Sequence, residues 1–332
     1  MKHWMSSLLL AGIALASWPA RPEIVAGSLD VRWNEGAEDC AAHAPPPLQV
    51  HKYAEGTFIL RESLCATFEG PFMYLLIGSK RAMLIDSGDV GDAREVPLAK
   101  TVLSLLPGEG ASKLPLLVVH THGHLDHRAG DAEFDGMPNV EIVGTDLDHV
   151  RQYFGFADWP NGMAEVDLGD RTVDVMPTPG HYPSHVSYYD RQTALFFSGD
   201  FFMPGRLLID DAAADLASAK RVVDFAATHP ISHVLGGHIE LDEADETFDF
   251  GSQYHPHERA LALSPQDLAA LPATIASFNG IYNRSGMFVM MSQTRVLAIL
   301  GVGTLAVLVA IGFAVRGYWR RRRRIRFERA RG

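Results

Sequence analysis

The segment His120-Thr121-His122-Gly123-His124-Leu125-Asp126-His127 places four histidines and an aspartate within eight residues, directly after the largely apolar run Leu114 to Val119. Such a run reads as a buried strand, so the polar cluster sits in the loop leaving the strand's C-terminal end. In an extended loop alternate side chains share a direction, which lets His122, His124 and Asp126 converge while His127 faces elsewhere. Gly123 allows a tight turn between them. Neutral imidazoles with a carboxylate suit zinc, with iron and manganese as rivals. A polar loop of capping or solvated histidines accounts for one or two such residues but poorly for this cluster, so we read it as a metal site.

The rest of the chain indicates where such a site would work. Residues 1–20 carry Lys2, an apolar run from Leu8 to Ala16 and small residues up to Ala20. That is the pattern of a secretory signal peptide, with an uncleaved anchor as the alternative. Val296 to Val315 is a stretch of 20 residues without a charge, bracketed by Arg295 and Arg316. At about 1.5 Å per residue it matches a hydrocarbon layer of about 30 Å. Residues 316–332 hold nine arginines and one glutamate, and basic flanks of a span stay in the cytoplasm. The sequence thus predicts an exported (periplasmic or extracellular) domain tethered through a C-terminal membrane helix. The tail contributes +8, so the remaining 315 residues carry −19 of a chain whose net charge is −11. A domain this acidic is a poor partner for nucleic acid, and a small-molecule substrate is expected instead. Cys40 and Cys65 are the only cysteines. They could form one disulfide in an oxidising compartment or remain two buried thiols. Nothing in the sequence sets an oligomeric state.

Between these ends, residues 21–47 read as an irregular segment, 48–280 as the catalytic domain, 281–295 as a linker, 296–315 as the transmembrane helix and 316–332 as the basic tail. Strands are expected at 48–53, 57–60, 72–77, 82–85, 116–119, 140–144, 172–176, 186–189, 194–198 and 232–235. Helices are expected at about 95–106, from Asp146 as a cap to 154, at 215–228 and from Ser264 to 278. The aromatic loop 154–162 reads as packing under a turn more than as a lip over a pocket, and 240–246 as an acidic surface loop. Mixed strands and helices in both halves suggest an α/β layered fold. Three further strand ends offer ligands, each preceded by glycine: Pro179-Gly180-His181, Ser198-Gly199-Asp200 and Gly236-Gly237-His238.

This ordered set, HTHGHLDH, then TPGH, FFSGD and GGH, resembles the metallo-β-lactamase fold superfamily over about residues 50–240, and Leu84-Ile85-Asp86-Ser87-Gly88 resembles a further short element of it. The resemblance implies a four-layer αββα sandwich with two metals, zinc first among the candidates. His122, His124 and His181 would hold one metal, Asp126, His127 and His238 the other, and Asp200 would bridge them. Asp86 would orient the ligand loop. In hydroxyacylglutathione hydrolases and related lactonases a similar loop reads Pro-Gly-His-Thr-x-Gly-His; here Tyr182 and Ser184 replace threonine and glycine. His181 is taken as the ligand and His185 is given a supporting or substrate-contacting role. The implied chemistry is attack on a carbonyl by a hydroxide shared between the metals, with Asp126 handling the proton. The expected activity is hydrolysis of an ester, thioester or lactone; a β-lactamase and a single-iron persulfide dioxygenase are the alternatives. His149, His229, His233, His255 and His257 are read as surface or packed residues, and Tyr188 and Tyr189 as core.

Overall fold

The run Leu116–Val119 forms a strand whose four side chains are all buried, as expected of an apolar strand with parallel neighbours on both sides. The computed structural model describes residues 23–329; the signal-peptide reading of residues 1–20 lies outside them. The first sheet consists of β1 (Leu48–Ala54), β2 (Thr57–Glu62), β3 (Phe72–Ile77), β4 (Ala82–Ile85), β5 (Leu116–Val119) and β6 (Val140–Ile142), in that spatial order. β1 to β4 pair antiparallel, and β4, β5 and β6 run parallel. The second half supplies β7 (Ala164–Asp167), β8 (Thr172–Pro177), β9 (Val186–Asp190), β10 (Leu195–Gly199), β11 (Arg206–Leu208), β12 (His233–Gly236), β13 (Ala262–Leu263), β14 (Tyr282–Ser285) and β15 (Phe288–Met291). Its main sheet has the order β13-β12-β10-β9-β8-β7, and β11, β15 and β14 form a separate three-stranded sheet.

The helices are α1 (Cys40–His43), α2 (Leu98–Leu105), α3 (Asp131–Phe134), α4 (Leu147–Phe154), α5 (Ala212–Ala226), α6 (Pro265–Ala276) and α7 (Gln293–Arg329). Local chemistry sets several of their ends. The Asp146 side chain accepts from His149 N–H at the start of α4, and Gly155 closes that helix in the left-handed region. Ser264 and Asp267 form a reciprocal capping box ahead of α6, with Pro265 in its first turn.

Side chains alternate across each strand, so both faces of both sheets must be covered. Met83 and Ile85 of β4 face inward, where Tyr74 and Val119 meet Val175, Tyr188 and Phe197 of the second sheet. Leu84 faces outward and packs with Leu98, Val102 and Phe134. On the far side, Phe196 and Val234 pack with Val222, Phe225, Leu268 and Leu271. The layers therefore run helix, sheet, sheet, helix, a mixed α/β sandwich.

Several expectations need correction. Residues 281–295 are not a plain linker: they form β14, β15 and the start of α7. The hairpin turns at Gly286, which has a positive φ, and Phe288, Val289 and Met290 are buried. The strands are too short and too polar on one side to stand out as a periodic signal. The stretch 240–246 is not purely a surface loop, because Leu241 is fully buried. Helix α2 starts at Leu98 rather than near 95, after the turn in which Glu95 and Val96 N–H donate to Asp92 O. Helix α5 starts at Ala212 because Asp211 caps Ala213 and Ala214 N–H. Cys40 and Cys65 are joined by a disulfide, which ties the N-terminal segment to the loop after β2. The aromatic loop packs: Phe156 is buried in the inter-sheet core with Trp159 against it. Helix α7 contains the expected 296–315 stretch and is long and apolar enough to cross a membrane, with its apolar window unburied by the domain. At its start Arg295 Nη1 donates to Gly280 O (2.8 Å) and Thr294 Oγ1 to Asp210 (3.2 Å).

One buried carboxyl organises the loop after β4. Glu62 accepts Asp89 N–H (3.0 Å) and Val90 N–H (3.4 Å), and burial pushes its pKa up from 4.5 to about 8. A raised folded-state value means the neutral form favours folding, so this stabilisation is complete below about pH 4.5 and is lost as pH rises through about 8. Glu62→Gln keeps an acceptor without the charge. We predict that the variant's unfolding free energy, measured in urea from pH 5 to pH 9, falls less with pH than the wild type's, by on the order of a few kcal/mol. Parallel pH profiles would contradict this account of the loop.

Candidate metal centre

Four strand ends meet at one edge of the sandwich. The loop after β5 carries His122, His124, Asp126 and His127; His181 follows β8, Asp200 follows β10, and His238 follows β12. The β5 loop is held from below. His120 bonds Asp131 (2.9 Å) and the Val143 carbonyl (3.2 Å), and Tyr188 donates its hydroxyl to His120 O (2.7 Å). Tyr188 is thus the core residue the sequence suggested. Gly237 is required by close approach: a Cβ there would lie 2.4 Å from Asp200 Oδ1 and 2.8 Å from His127 Cε1.

The convergent side chains form two groups sharing one member. His122, His124, His181 and Asp200 make the first; Asp126, His127, Asp200 and His238 make the second; in each, the ligand-type atoms lie within 4.8 Å of one another. In the first group His122 Nε2, His124 Nδ1 and His181 Nε2 are 2.9–3.2 Å apart. Three nitrogens on arms of about 2.0–2.1 Å around a tetrahedral cation would be about 3.3 Å apart, close to this spacing. In the second, Asp126 Oδ2 is 3.2 Å from both His127 Nε2 and His238 Nε2. Asp200 turns Oδ2 towards His181 (3.7 Å) and His122 (3.9 Å), and Oδ1 towards His127 (3.3 Å) and His238 (3.5 Å).

The outer ring nitrogens set the tautomers. His181 Nδ1 donates to Leu208 O (2.9 Å), His238 Nδ1 to Glu69 O (2.8 Å) and His127 Nδ1 to Asp86 Oδ2 (3.0 Å). His122 Nδ1 donates to Thr121 Oγ1 (3.1 Å), whose hydroxyl donates to Asp86 (3.0 Å). Each inner nitrogen is thereby left as a lone pair aimed at the centre of its group. Asp86 is fully buried with a positive φ, and also accepts Thr121 N–H (2.7 Å), so its carboxylate contacts the loop at Thr121 and His127.

Such a set is electrostatically uncomfortable without a cation. Burial, then His127 and His181, pull His122 well below the usual imidazole range. Burial opposes charge on His127 and His238 too, but Asp200 and Asp126 outweigh it, raising the first well above normal and the second to about 10. Burial likewise opposes charge on Asp126 and Asp200, yet His127 and His238 hold both carboxyls well below the usual carboxylate range. Asp200 Oδ1 is buried and makes no hydrogen bond. Inward lone pairs, paired carboxylates and an orphaned oxygen are the donor chemistry of a divalent-cation site.

His185 stands apart from both groups. Its Nδ1 meets Thr178 Oγ1 at 2.8 Å, its ring stacks on His122 at 5.2 Å, and its buried Nε2 has no partner. It backs the ligand loop rather than joining it. The remaining histidines are packed or exposed as expected: His149 pairs with Asp146 at the surface, His229 stacks on Phe225, and His255 stacks on Phe248. Beside the donor groups opens a cavity of about 440 Å³ lined by Asp126, Asp200 and His238 on one side and by Leu208, Phe250 and Met291 on another. Glu69, Arg206 and Glu240 also line it. Of these, Glu69, Arg206, Leu208, Phe250 and Met291 were not singled out from the sequence. They come from loops and from the small third sheet, which carry no motif.

Comparison with known proteins agrees with this geometry. Residues 66–238 match the family described as the metallo-beta-lactamase superfamily. The acyl-coenzyme A thioesterase MBLAC2 of Gallus gallus is 26% identical over 60% of this chain and 83% of its own length. A hydroxyacylglutathione hydrolase of Anaeromyxobacter dehalogenans is 35% identical, over 35% of this chain and 40% of its own length. Among solved structures, a metallo-beta-lactamase from Pontibacter korlensis is 18% identical, covering 57% of this chain and 91% of its own, with a TM-score of 0.43. The chain belongs to the metallo-beta-lactamase superfamily and is a metallo-hydrolase.

Proposed function

We propose that this protein is a dinuclear metal hydrolase of thioesters, tethered to a membrane by α7. The observation that carries the two-metal reading is Asp200, whose two oxygens face two different groups of donors. In this reading His122, His124 and His181 would hold one metal and Asp126, His127 and His238 the other, with Asp200 available to both; zinc fits the donors best, with iron or manganese as substitutes. When bound, the metals supply Lewis acidity and bring the pKa of water near neutrality. The chain's own groups do the rest. Asp126, part-exposed to the cleft through its 19% accessible side chain, takes the proton of the attacking water and returns it to the leaving sulfur. Asp86 keeps His127 and, through Thr121, His122 in the ligating tautomer. His185 and the buried core behind it exclude water from the back of the site.

The choice of thioester among the expected carbonyl substrates is supported by the relatives named as acyl-coenzyme A thioesterase and hydroxyacylglutathione hydrolase and by the apolar wall of the cleft. A single-iron dioxygenase would leave Asp126, His127 and His238 without a metal to hold. The membrane reading is supported by the length and exposure of α7 and by the arginines that follow it. The Cys40–Cys65 disulfide supports an exported domain with a cytoplasmic tail.

Three measurements test this. Asp126→Ala should lower kcat for a short acyl thioester by roughly 10²–10⁴-fold while circular dichroism stays native; wild-type turnover would remove Asp126 from the mechanism, and faster turnover of nitrocefin than of any thioester by the native enzyme would move the substrate to β-lactams. Deleting residues 296–332 should move the protein from the membrane pellet to the soluble fraction with activity retained. A truncated protein that still pellets would assign the anchor to the N-terminal segment.

A further inference from the structure

The cleft is polar at the donor groups and at Glu69, Arg206, Glu240 and Gln293; the rest of its wall is Leu125, Met203, Leu208, Phe250 and Met291. Leu125 is 59% exposed and Phe250 80%, and Phe68, itself 37% exposed, packs edge-on against Phe250 at 5.3 Å. Clustered exposed apolar side chains of this size mark a surface that something apolar covers.

The position of this wall in the fold indicates what covers it. Met291 ends β15 and Gln293 begins α7. The charge-free stretch of that helix starts at Val296, three residues on, or about 4.5 Å along the axis. On the same hairpin Ile281, whose carbonyl accepts Ser292 N–H at 3.0 Å, and Tyr282 are exposed. The cleft's apolar wall, an apolar rim and the start of the span thus share one end of the domain. Electrostatics do not draw this end to a membrane: the residues outside the tail carry −19, so the tether itself sets the approach. Nor is the cleft built for an anionic carrier, since Glu69 and Glu240 line it and Arg206 is already paired with Glu240 at 3.1 Å.

We propose that the cleft is filled from the bilayer: its substrate is a membrane-partitioned amphiphile whose acyl chain lies along Leu125, Phe250 and Met291 with the scissile carbonyl at the donor groups. Recognition then rests on the acyl chain, and the leaving group stays at the mouth. This rests on the hydrolase and tether readings above and adds the class of substrate and its route.

The test uses the full chain in phosphatidylcholine vesicles. For acyl thioesters of N-acetylcysteamine from acetyl to dodecanoyl, kcat/KM should rise by about fourfold per added methylene until the wall is covered; a flat or falling series overturns the proposal. Because both native cysteines are in the disulfide, Phe250→Cys offers one free thiol for a fluorophore. Its emission should be quenched by phosphatidylcholine spin-labelled on the acyl chain, and absence of quenching overturns the bilayer route whatever the activity shows. If no thioester of any length is cleaved, the hydrolase reading fails on that ground, and quenching decides the position of the cleft separately.

Discussion

Five imidazoles and two carboxylates meet where four strand ends converge, with their ligand atoms grouped inside spheres of less than 5 Å. Most of the structure around the site serves to make that concentration tolerable. Burial alone would strip charge from every one of these groups, as it does at His122, while the carboxylates pull His127 and His238 the other way. In the reading proposed above, a divalent cation in each group would resolve the conflict by accepting the lone pairs that the outer hydrogen bonds to Asp86, Thr121, Leu208 and Glu69 direct inward.

That arrangement demands a rigid frame. The strands that end at the site come from both sheets, and the inter-sheet core of Tyr74, Ile85, Val119, Tyr188 and Phe197 fixes their relative position. Tyr188 links frame and site directly, donating to the His120 carbonyl from the second sheet while the β5 loop begins in the first. The edge beyond the site is closed by pieces that contribute no ligand side chain: β11, whose Leu208 carbonyl orients His181, and the β14–β15 hairpin that leads into α7. The candidate site and the start of the apolar helix α7 therefore share a boundary.

Much of this was legible in the residues. The buried run before HTHGHLDH, the glycines before His181, Asp200 and His238, and the caps at Asp146 and Ser264 each carry a local physical signal, and the structure brings those ligand candidates together. What was not legible is what arises only from packing. The strands β7, β11, β13, β14 and β15 have two to four residues each, too few for a period to show. Whether Cys40 and Cys65 pair depends on a Cα separation, 5.3 Å here, that no spacing in sequence reveals. Glu69 and Phe250 reach the cleft from loops and Arg206 from the three-residue strand β11, none of them with a motif. The wall they help to build is where the proposed substrate would lie, so the metal-ligand chemistry was legible where the target was not.

The central claim is that Asp200 serves two cations at once. Elemental analysis of the full-length protein, purified without chelators or added metal and then saturated with zinc and desalted, tests it most directly. The account predicts close to two zinc ions per chain in the native protein and a loss of at least one in Asp200→Ala. A native stoichiometry that saturates at one metal per chain would contradict it.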